Sequence, residues 1–584
     1  MPATRITIAS NAQQSTKAPL LLPAAASADP DSKNSYRGLI LKAANSKLRI
    51  KKPARFFVAR DGQELLTDKD WKAAIQNDVV ILVSSGEEYV GKAKEQLADW
   101  QEAARGHVNN PDCPVNLLAN KALIDDQSIT QLNTTARTLP GIIHAVGQPD
   151  LHPGTKFPIG AVFVSQEWIH PPLIGGDIGC GMAWYKTGLS RNHVDGDKGR
   201  KIAERLRGLE GPWHTQKERE MWLNEDGKSY SAGEKWDKSL GTIGAGNHFA
   251  EIQVVEDSSV GELKEDTVVL LVHSGSRGYG GDILKRYTAG GHESLHEDDP
   301  KTKKYLEEHD RACEWARLNR DLIALRFLSC LELDKVTKRN LEDHALEENN
   351  IHDMKTEIAG RKIVDIWHNN VQKVSWPPSS PTLLSDLEHN LLSTIEKTSN
   401  LDLQDDQPIR PFAAKPPRKL ANAYIHRKGA APTHNPKTNF PLSILPLPGS
   451  RGTPTLILRP ILSASNSWGT KNALSLAHGA GRAMSRQKAL VSLKQKYHDD
   501  HKALLTPNSA SSGSGKGKDW VERAKDVKGG TWVICDEKQL VWEEAEEAYK
   551  DVVAVAQDLV EMGVAEVKGW LRPRVCYKVR IEER

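Results

Sequence analysis

Cysteine is scarce in this chain: six among 584 residues, irregularly spaced and with no Cys-x-x-Cys pair. That excludes a disulfide framework and a paired-cysteine structural zinc site, and it fits a reducing compartment. Net charge is nearly absent too. Lys and Arg number 79 against 76 Asp and Glu, a formal +3. Bulk charge therefore does not mark a nucleic-acid binder, and any basic surface must be local. No apolar run approaches the roughly 18 residues that a membrane span needs. Two glycine-rich stretches lack the order of the nucleotide loops they suggest. Gly513-Ser514-Gly515-Lys516-Gly517-Lys518 has neither the phosphate-loop spacing nor a preceding strand, and Gly241–Gly246 opens no βαβ unit.

The length admits more than one domain and a large core. Residues 1–34 read as a disordered tail: Ala and Ser dominate, with Arg5 and Lys17 and no acid before Asp29. A transit peptide would carry more arginine, so a cytoplasmic or nuclear protein is expected. Leu39-Ile40-Leu41, Arg55-Phe56-Phe57-Val58 and Val79-Val80-Ile81-Leu82-Val83 follow, the last two as short β-type runs. Between them Asp61-Gly62 marks a turn, and Thr67-Asp68-Lys69-Asp70-Trp71 opens like a capped helix. This ββαβ-like order suggests a small β-grasp-like module over 35–90, of the doublecortin or ubiquitin kind, with a helical link over 91–105. A second domain is expected over 106–584. Its Pro- and Ser-rich stretch 377–419 and its Gly- and Ser-rich stretch 507–518 read as a surface insertion and a flexible linker. Trp315, Leu318, Leu322 and Leu325 give Ala312–Leu331 a helical period.

Five segments combine metal-binding and anion-binding chemistry. They are Asp177-Ile178-Gly179-Cys180-Gly181, Gly244-Ala245-Gly246-Asn247-His248, His273-Ser274-Gly275-Ser276-Arg277-Gly278, Trp367-His368-Asn369 and His478-Gly479-Ala480-Gly481-Arg482. Each sets Cys, His or a carboxylate in a short polar segment, four of them among glycines, which allow close backbone approach and leave N–H groups free for anions. A lone Cys or His of this sort is ordinarily a buried structural residue; five such segments point to one site built from distant loops. Thiolate, imidazole and carboxylate suit Mn, Zn or Fe alike. Cys113, Cys313, Cys330, Cys535 and Cys576 match no motif and read as structural.

With Pro149-Asp150-Leu151-His152, Phe157-Pro158-Ile159-Gly160, Pro448-Gly449-Ser450 and Met484-Ser485-Arg486 in the same order, the chain resembles an RtcB-type RNA ligase from about Leu139 onward. The resemblance implies an α+β fold with a central metal-binding cleft, two Mn2+ and GTP. It implies Asp177, Cys180, His248, His273 and His368 as metal ligands with Cys180 bridging, and His478 as the nucleophile that takes GMP. The GTP pocket would comprise Glu251, Asn369, Ser450, Thr455, His478, Arg482, Tyr549 and Lys578. Glu251, one turn past His248 if that segment is helical, would accept from the guanine N1–H and N2–H2 edge. Lys578, following Arg572-Pro573, would donate to O6. Asn247 and Arg277, with Asn369, would hold the RNA terminal phosphate, and Asp150 would orient the site from behind. The partners implied are RNA with 3′-phosphate or 2′,3′-cyclic phosphate and 5′-hydroxyl ends, in tRNA splicing or RNA repair, and a helper protein for guanylylation is admitted. No membrane is implied.

Gly176 before Asp177, and Arg451 and Pro454 after Ser450, depart from the commoner pattern, as in homologues associated with release factor H. They leave ligands and nucleophile intact and bear on substrate choice. A non-ligating RNA-end binder and a metal-dependent phosphatase or nuclease are the competing classes; trapping a GMP adduct separates them from a ligase.

Overall fold

The computed structural model describes residues 4–11, 17–29, 32, 34–50, 52–59, 62–76, 79–87, 89, 110–289, 291, 294–331, 346–378, 421–435, 438, 440–507, 519–525 and 530–580. The expected helical link at 91–105 lies outside these residues, as do all but the first residues of the stretches 377–419 and 507–518. The chain divides into two units, Met1–Val108 and Asn109–Arg584.

The first unit corrects the expected tail. Thr4–Ser10 and Lys17–Leu22 are strands, and the sheet runs Lys17–Leu22, Thr4–Ser10, Val80–Ser84, Arg55–Val58. Its central pair is parallel and its flanking pairs antiparallel. The physical reason is alternation: Ile6 and Ile8 face inward and meet Ile81, Val83, Phe56 and Trp71 in one core. A tail reading based on Ala and Ser content overlooks that period of two. Leu39-Ile40-Leu41 lies in the helix Tyr36–Lys47, whose first turn is capped by the Ser35 hydroxyl. The helix Asp68–Ala74 has the expected capping box of Thr67 and Asp70.

The second unit mixes helices with two large sheets. One runs Lys362–Trp367, Gly181–Ser190, Thr267–Ser274, Phe249–Ser258, Ala565–Val579, Thr455–Pro460, Leu445–Pro448, with Trp532–Cys535 also on Ala565–Val579. All its pairs are antiparallel except the last. The other runs Asn369–Trp376, Ala421–Lys428, Ile159–Ser165, Ile142–His152, Val115–Leu117. A single residue, His368, joins the edge strand Lys362–Trp367 of the first to the edge strand Asn369–Trp376 of the second. The helical period read at Ala312–Leu331 belongs to a longer helix, Pro300–Ser329, which starts at the Asp299 cap and buries Trp315, Leu318, Leu322 and Leu325. Arg320 on this helix is fully buried, pairing with Asp365 at 2.6 Å and donating through Nη1 to the carbonyls of Gly179 and Ser274, each at 3.0 Å. Among the described residues, no helix is long and apolar enough to cross a membrane.

Candidate active site and metal centre

Four adjacent strands of the larger sheet deliver side chains to one end of it. Register pairs Trp367 with Gly181, Gly181 with Ser274, Met182 with His273 and His273 with Phe249. Cys180, His248 and His368 each stand one residue beyond a strand end, and His273 is the penultimate residue of its own strand. Because neighbouring strands are antiparallel, these four ends coincide, and residues far apart in sequence meet. Gly275 makes room for the last member: a Cβ there would come within 2.2 Å of Asp177 Oδ1.

Cys180 Sγ lies 3.3 Å from His248 Nε2, 3.3 Å from His273 Nε2 and 3.2 Å from His368 Nε2, and His248 Nε2 lies 2.8 Å from Asp177 Oδ2. The His248 Nδ1–H is directed at the Ile243 carbonyl, 3.2 Å away, which leaves Nε2 with its lone pair turned to the cluster. Burial holds His273 and His368 well below the ordinary histidine range, as neutral ligands would be. Burial and the Asp177 charge push the Cys180 thiol well above its usual range. Burial pushes Asp177 upward, but His248, Cys180 and Arg277 together outweigh it and the carboxyl ends lower than usual. Asp177 Oδ1 is buried without a hydrogen-bond partner. Convergent soft and borderline donors around an orphaned carboxylate oxygen fit a divalent metal ion.

His478 follows the short strand Ser475–Ala477, and its ring centroid is 4.6 Å from that of His368. Its Nδ1 lies 2.7 Å from Oδ2 of Asp150, a fully buried carboxylate on the strand Ile142–His152. With Nδ1–H donating to Asp150, Nε2 is the free, nucleophilic nitrogen. Gly481, at φ +69°, is required by close approach: a Cβ would meet the Asp150 carbonyl oxygen at 2.3 Å.

A cavity of about 240 Å3 opens between the two sheets. Of the residues named from the sequence, Asp177, Cys180, His273, His368, His478, Asn247, Asn369, Glu251, Ser450, Arg482, Tyr549 and Lys578 line it. His248 and Asp150 touch lining residues from behind, as described. Arg277 also stands behind, its Nε 3.3 Å from Thr242 Oγ1 and its charge acting on Asp177.

Three expectations change. The segment after His248 is a strand, Phe249–Ser258, so the one-turn relation of Glu251 to His248 does not hold; Phe249 and Glu251 line the cavity by strand alternation. Thr455 does not line the cavity. Its hydroxyl accepts from Gln253 Nε2 at 2.8 Å, and Gln253 donates in turn to Glu251 at 2.9 Å, so Thr455 props the carboxylate from below. Asn369 ties loops together: its Nδ2 donates to the Asp177 carbonyl at 3.1 Å and its Oδ1 accepts from Gly429 N–H at 2.8 Å.

Sequence reasoning passed over Gln253 and two charged lining residues, Lys428 and Glu544; it took Arg486 only as part of a motif and Arg451 only as a departure from the commoner pattern. Glu544 is almost fully buried and takes Arg482 Nη1 at 3.2 Å; Tyr549 donates its hydroxyl to the same carboxylate. Burial, with no acid beside it, lowers the Lys428 ammonium to about 8. The signal for Lys428 was adjacency to Gly429 in a glycine-turn segment like the five recognised; Glu544 lies in an acidic run that reads as solvated surface.

Comparison with known proteins gives the family. A family model described as "tRNA-splicing ligase RtcB" matches residues 131–226, 212–373 and 357–514. The RNA-splicing ligase RtcB2 of Escherichia coli is 32% identical over 474 residues, covering 80% of this chain and 96% of that protein. The tRNA-splicing ligase RtcB of Methanococcus maripaludis is 25% identical over 537 residues, covering 80% and 95%. That of Pyrobaculum aerophilum is 25% identical over 529 residues, covering 79% and 93%. On this family match and the near-complete overlap with its members, the chain belongs to the RtcB ligase family.

Proposed function

We propose that this chain joins RNA 3′-phosphate or 2′,3′-cyclic phosphate ends to 5′-hydroxyl ends, spending GTP through a histidine–GMP intermediate in the presence of manganese. The observation that carries the reading is His478, held by Asp150 through Nδ1 with its ring tilted against that of His368, a member of the donor cluster. His478 Nε2 attacks the α-phosphorus of GTP; an N–P bond forms, the Pα–O bond to the β-phosphate breaks and pyrophosphate leaves. A 2′,3′-cyclic end is first opened by water, which bonds to phosphorus as the P–O2′ bond breaks, leaving a 3′-phosphate and a 2′-hydroxyl. An oxygen of the RNA 3′-phosphate then attacks the phosphorus of the adduct, breaks the P–N bond and returns His478. Finally the 5′-hydroxyl attacks the activated 3′-phosphate, forming the phosphodiester and releasing GMP.

Asp177, Cys180, His248, His273 and His368 would hold two manganese ions, which supply charge neutralisation at the phosphates. Asn247 and Arg277 are assigned to the RNA phosphate, with Lys428 and Arg486 beside them; Asn247, Lys428 and Arg486 line the cavity and Arg277 supports it from behind. Glu251 and Lys578 are assigned to the guanine edge, with Ser450, Arg482 and Tyr549 around the nucleotide.

The test is incubation with Mn2+ and α-labelled GTP. The expected result is a covalent label that RNA bearing a 3′-phosphate discharges, with a joined strand appearing when 5′-hydroxyl RNA is added. No label, with manganese measured on the protein and none restored by a cell extract supplying a helper protein, overturns the reading and leaves an RNA-end binder or hydrolase.

Two further outcomes follow from the same residues. Cys180→Ala removes the donor common to all three imidazoles, so metal retained after gel filtration, read by elemental analysis, falls by at least half, and the label with it. Because the thiol must lose its proton on binding, manganese affinity of the parent rises with pH. Glu251 supplies the second. Burial pushes its carboxyl up to about 7, and the guanine edge needs the ionised form. KM for GTP therefore rises about tenfold between pH 8 and pH 6, since the ionised fraction falls by that factor around a pKa of 7. Glu251→Gln flattens this dependence; a profile equally steep in the variant would assign it elsewhere.

A further inference from the structure

Arg451, where the commoner family pattern has methionine, is only 6% exposed. One guanidinium nitrogen, Nη2, donates to the Val541 carbonyl, while Nη1 is buried with no hydrogen-bond partner. A buried donor left unmade costs free energy, so an acceptor brought by a ligand is the physical complement of this side chain. Arg451 lines the same cavity as Glu251, Ser450 and Lys578. Its charge reaches Glu251 and Cys576, which face each other across the strand pair. Glu251 lies two residues along the strand from Phe249, the partner of His273, so Arg451 acts at the end of the cavity leading away from the metal cluster.

Resting on the reading above, we propose that Arg451 selects the base: its Nη1 donates to guanine N7. Glu251 takes the N1–H and N2–H2 donors and Lys578 takes O6, and N7 is the ring acceptor on the same edge as O6. Arginine is the commonest partner of the guanine O6/N7 edge. Arg451 also borders a neighbouring cavity with Thr531 and Glu546; a guanidinium serving that side would leave the enzyme indifferent to N7.

The test compares guanylylation kinetics with GTP and with 7-deaza-GTP, in which C–H replaces N7, for the parent, Arg451→Met and Arg451→Lys. The parent is expected to bind 7-deaza-GTP more weakly by about 10- to 100-fold in KM. Arg451→Met is expected to show that same penalty with GTP, unchanged kcat, and no further loss with 7-deaza-GTP. Arg451→Lys recovers part of the KM. Equal KM values for the two nucleotides in the parent overturn the proposal, and that comparison needs no variant to fold. An equal 7-deaza penalty in parent and Arg451→Met, or a loss confined to kcat, overturns it as well. A parent that forms no GMP adduct at all defeats the guanylylation reading itself, a separate outcome.

Discussion

His478→Ala is expected to lose the covalent GMP label completely while its manganese content, measured on the same sample, stays at the parental level. The two readouts separate because His478 neighbours His368 by ring contact but stands outside the group of donors around Cys180 Sγ. Asp150→Asn gives the graded version of the same experiment. The buried Asp150 carboxylate can only accept from Nδ1–H, which fixes the tautomer that exposes Nε2. An asparagine amide turned toward Nδ1 stabilises the opposite tautomer and puts the proton on the attacking nitrogen. Adduct formation is expected to slow by about 10²- to 10⁴-fold, the range seen when a base loses its orienting partner. Single-turnover labelling measures it. A variant that labels at the parental rate would remove Asp150 from the argument and leave His478 oriented by its backbone alone.

Arg320→Leu is expected to destabilise the second unit by about 3 kcal/mol, because it leaves Asp365 a buried carboxylate with only Lys362, 3.9 Å away, beside it. Arg320 is fully enclosed, and it reaches Asp365 through both Nε and Nη2, at 2.9 and 2.6 Å. The denaturation midpoint of the variant, followed by intrinsic tryptophan fluorescence, is the measurement. Arg320→Leu combined with Asp365→Leu should recover most of the loss, since a buried pair replaced by apolar groups of similar volume is often nearly neutral. Metal affinity should not recover in that double variant. Arg320 Nη1 also bonds the carbonyls of Gly179 and Ser274, the residues next to Cys180 and His273. Recovery of both stability and manganese binding would show that the guanidinium serves only its carboxylate.

The chemistry of the site was more legible in the sequence than the architecture that assembles it. A strand that ends at a site built from converging loops needs a tight turn, and tight turns write glycines near the chemical residue: Gly179 next to Cys180, Gly275 two residues after His273, Gly479 next to His478. The sheet has no such local mark. Gly181–Ser190 pairs with Thr267–Ser274 on one side and Lys362–Trp367 on the other, partners so distant in the chain that periodicity cannot name them. The same gap explains Thr455, which carries a hydroxyl in the expected place but spends it on Gln253, a residue two strands away in the sheet order. At the amino terminus the pattern was present and the composition misled: Arg5-Ile6-Thr7-Ile8 alternates, yet the surrounding alanines and serines outweighed four residues.

The strands Asn369–Trp376 and Ala421–Lys428 run antiparallel, with Asn369 opposite Lys428 at the cavity and Trp376 opposite Ala421 at the far end. The chain between Trp376 and Ala421 therefore leaves and returns about 23 Å from the cavity, seven residues up a pleated ribbon. Lengthening a connection of this kind costs little, because loop entropy grows only with the logarithm of its length. That connection is thus a natural port for cargo: a fluorescent reporter or an affinity handle spliced there rides on the enzyme with the ribbon as a spacer, and successive generations of the gene are free to rewrite it at the same low cost.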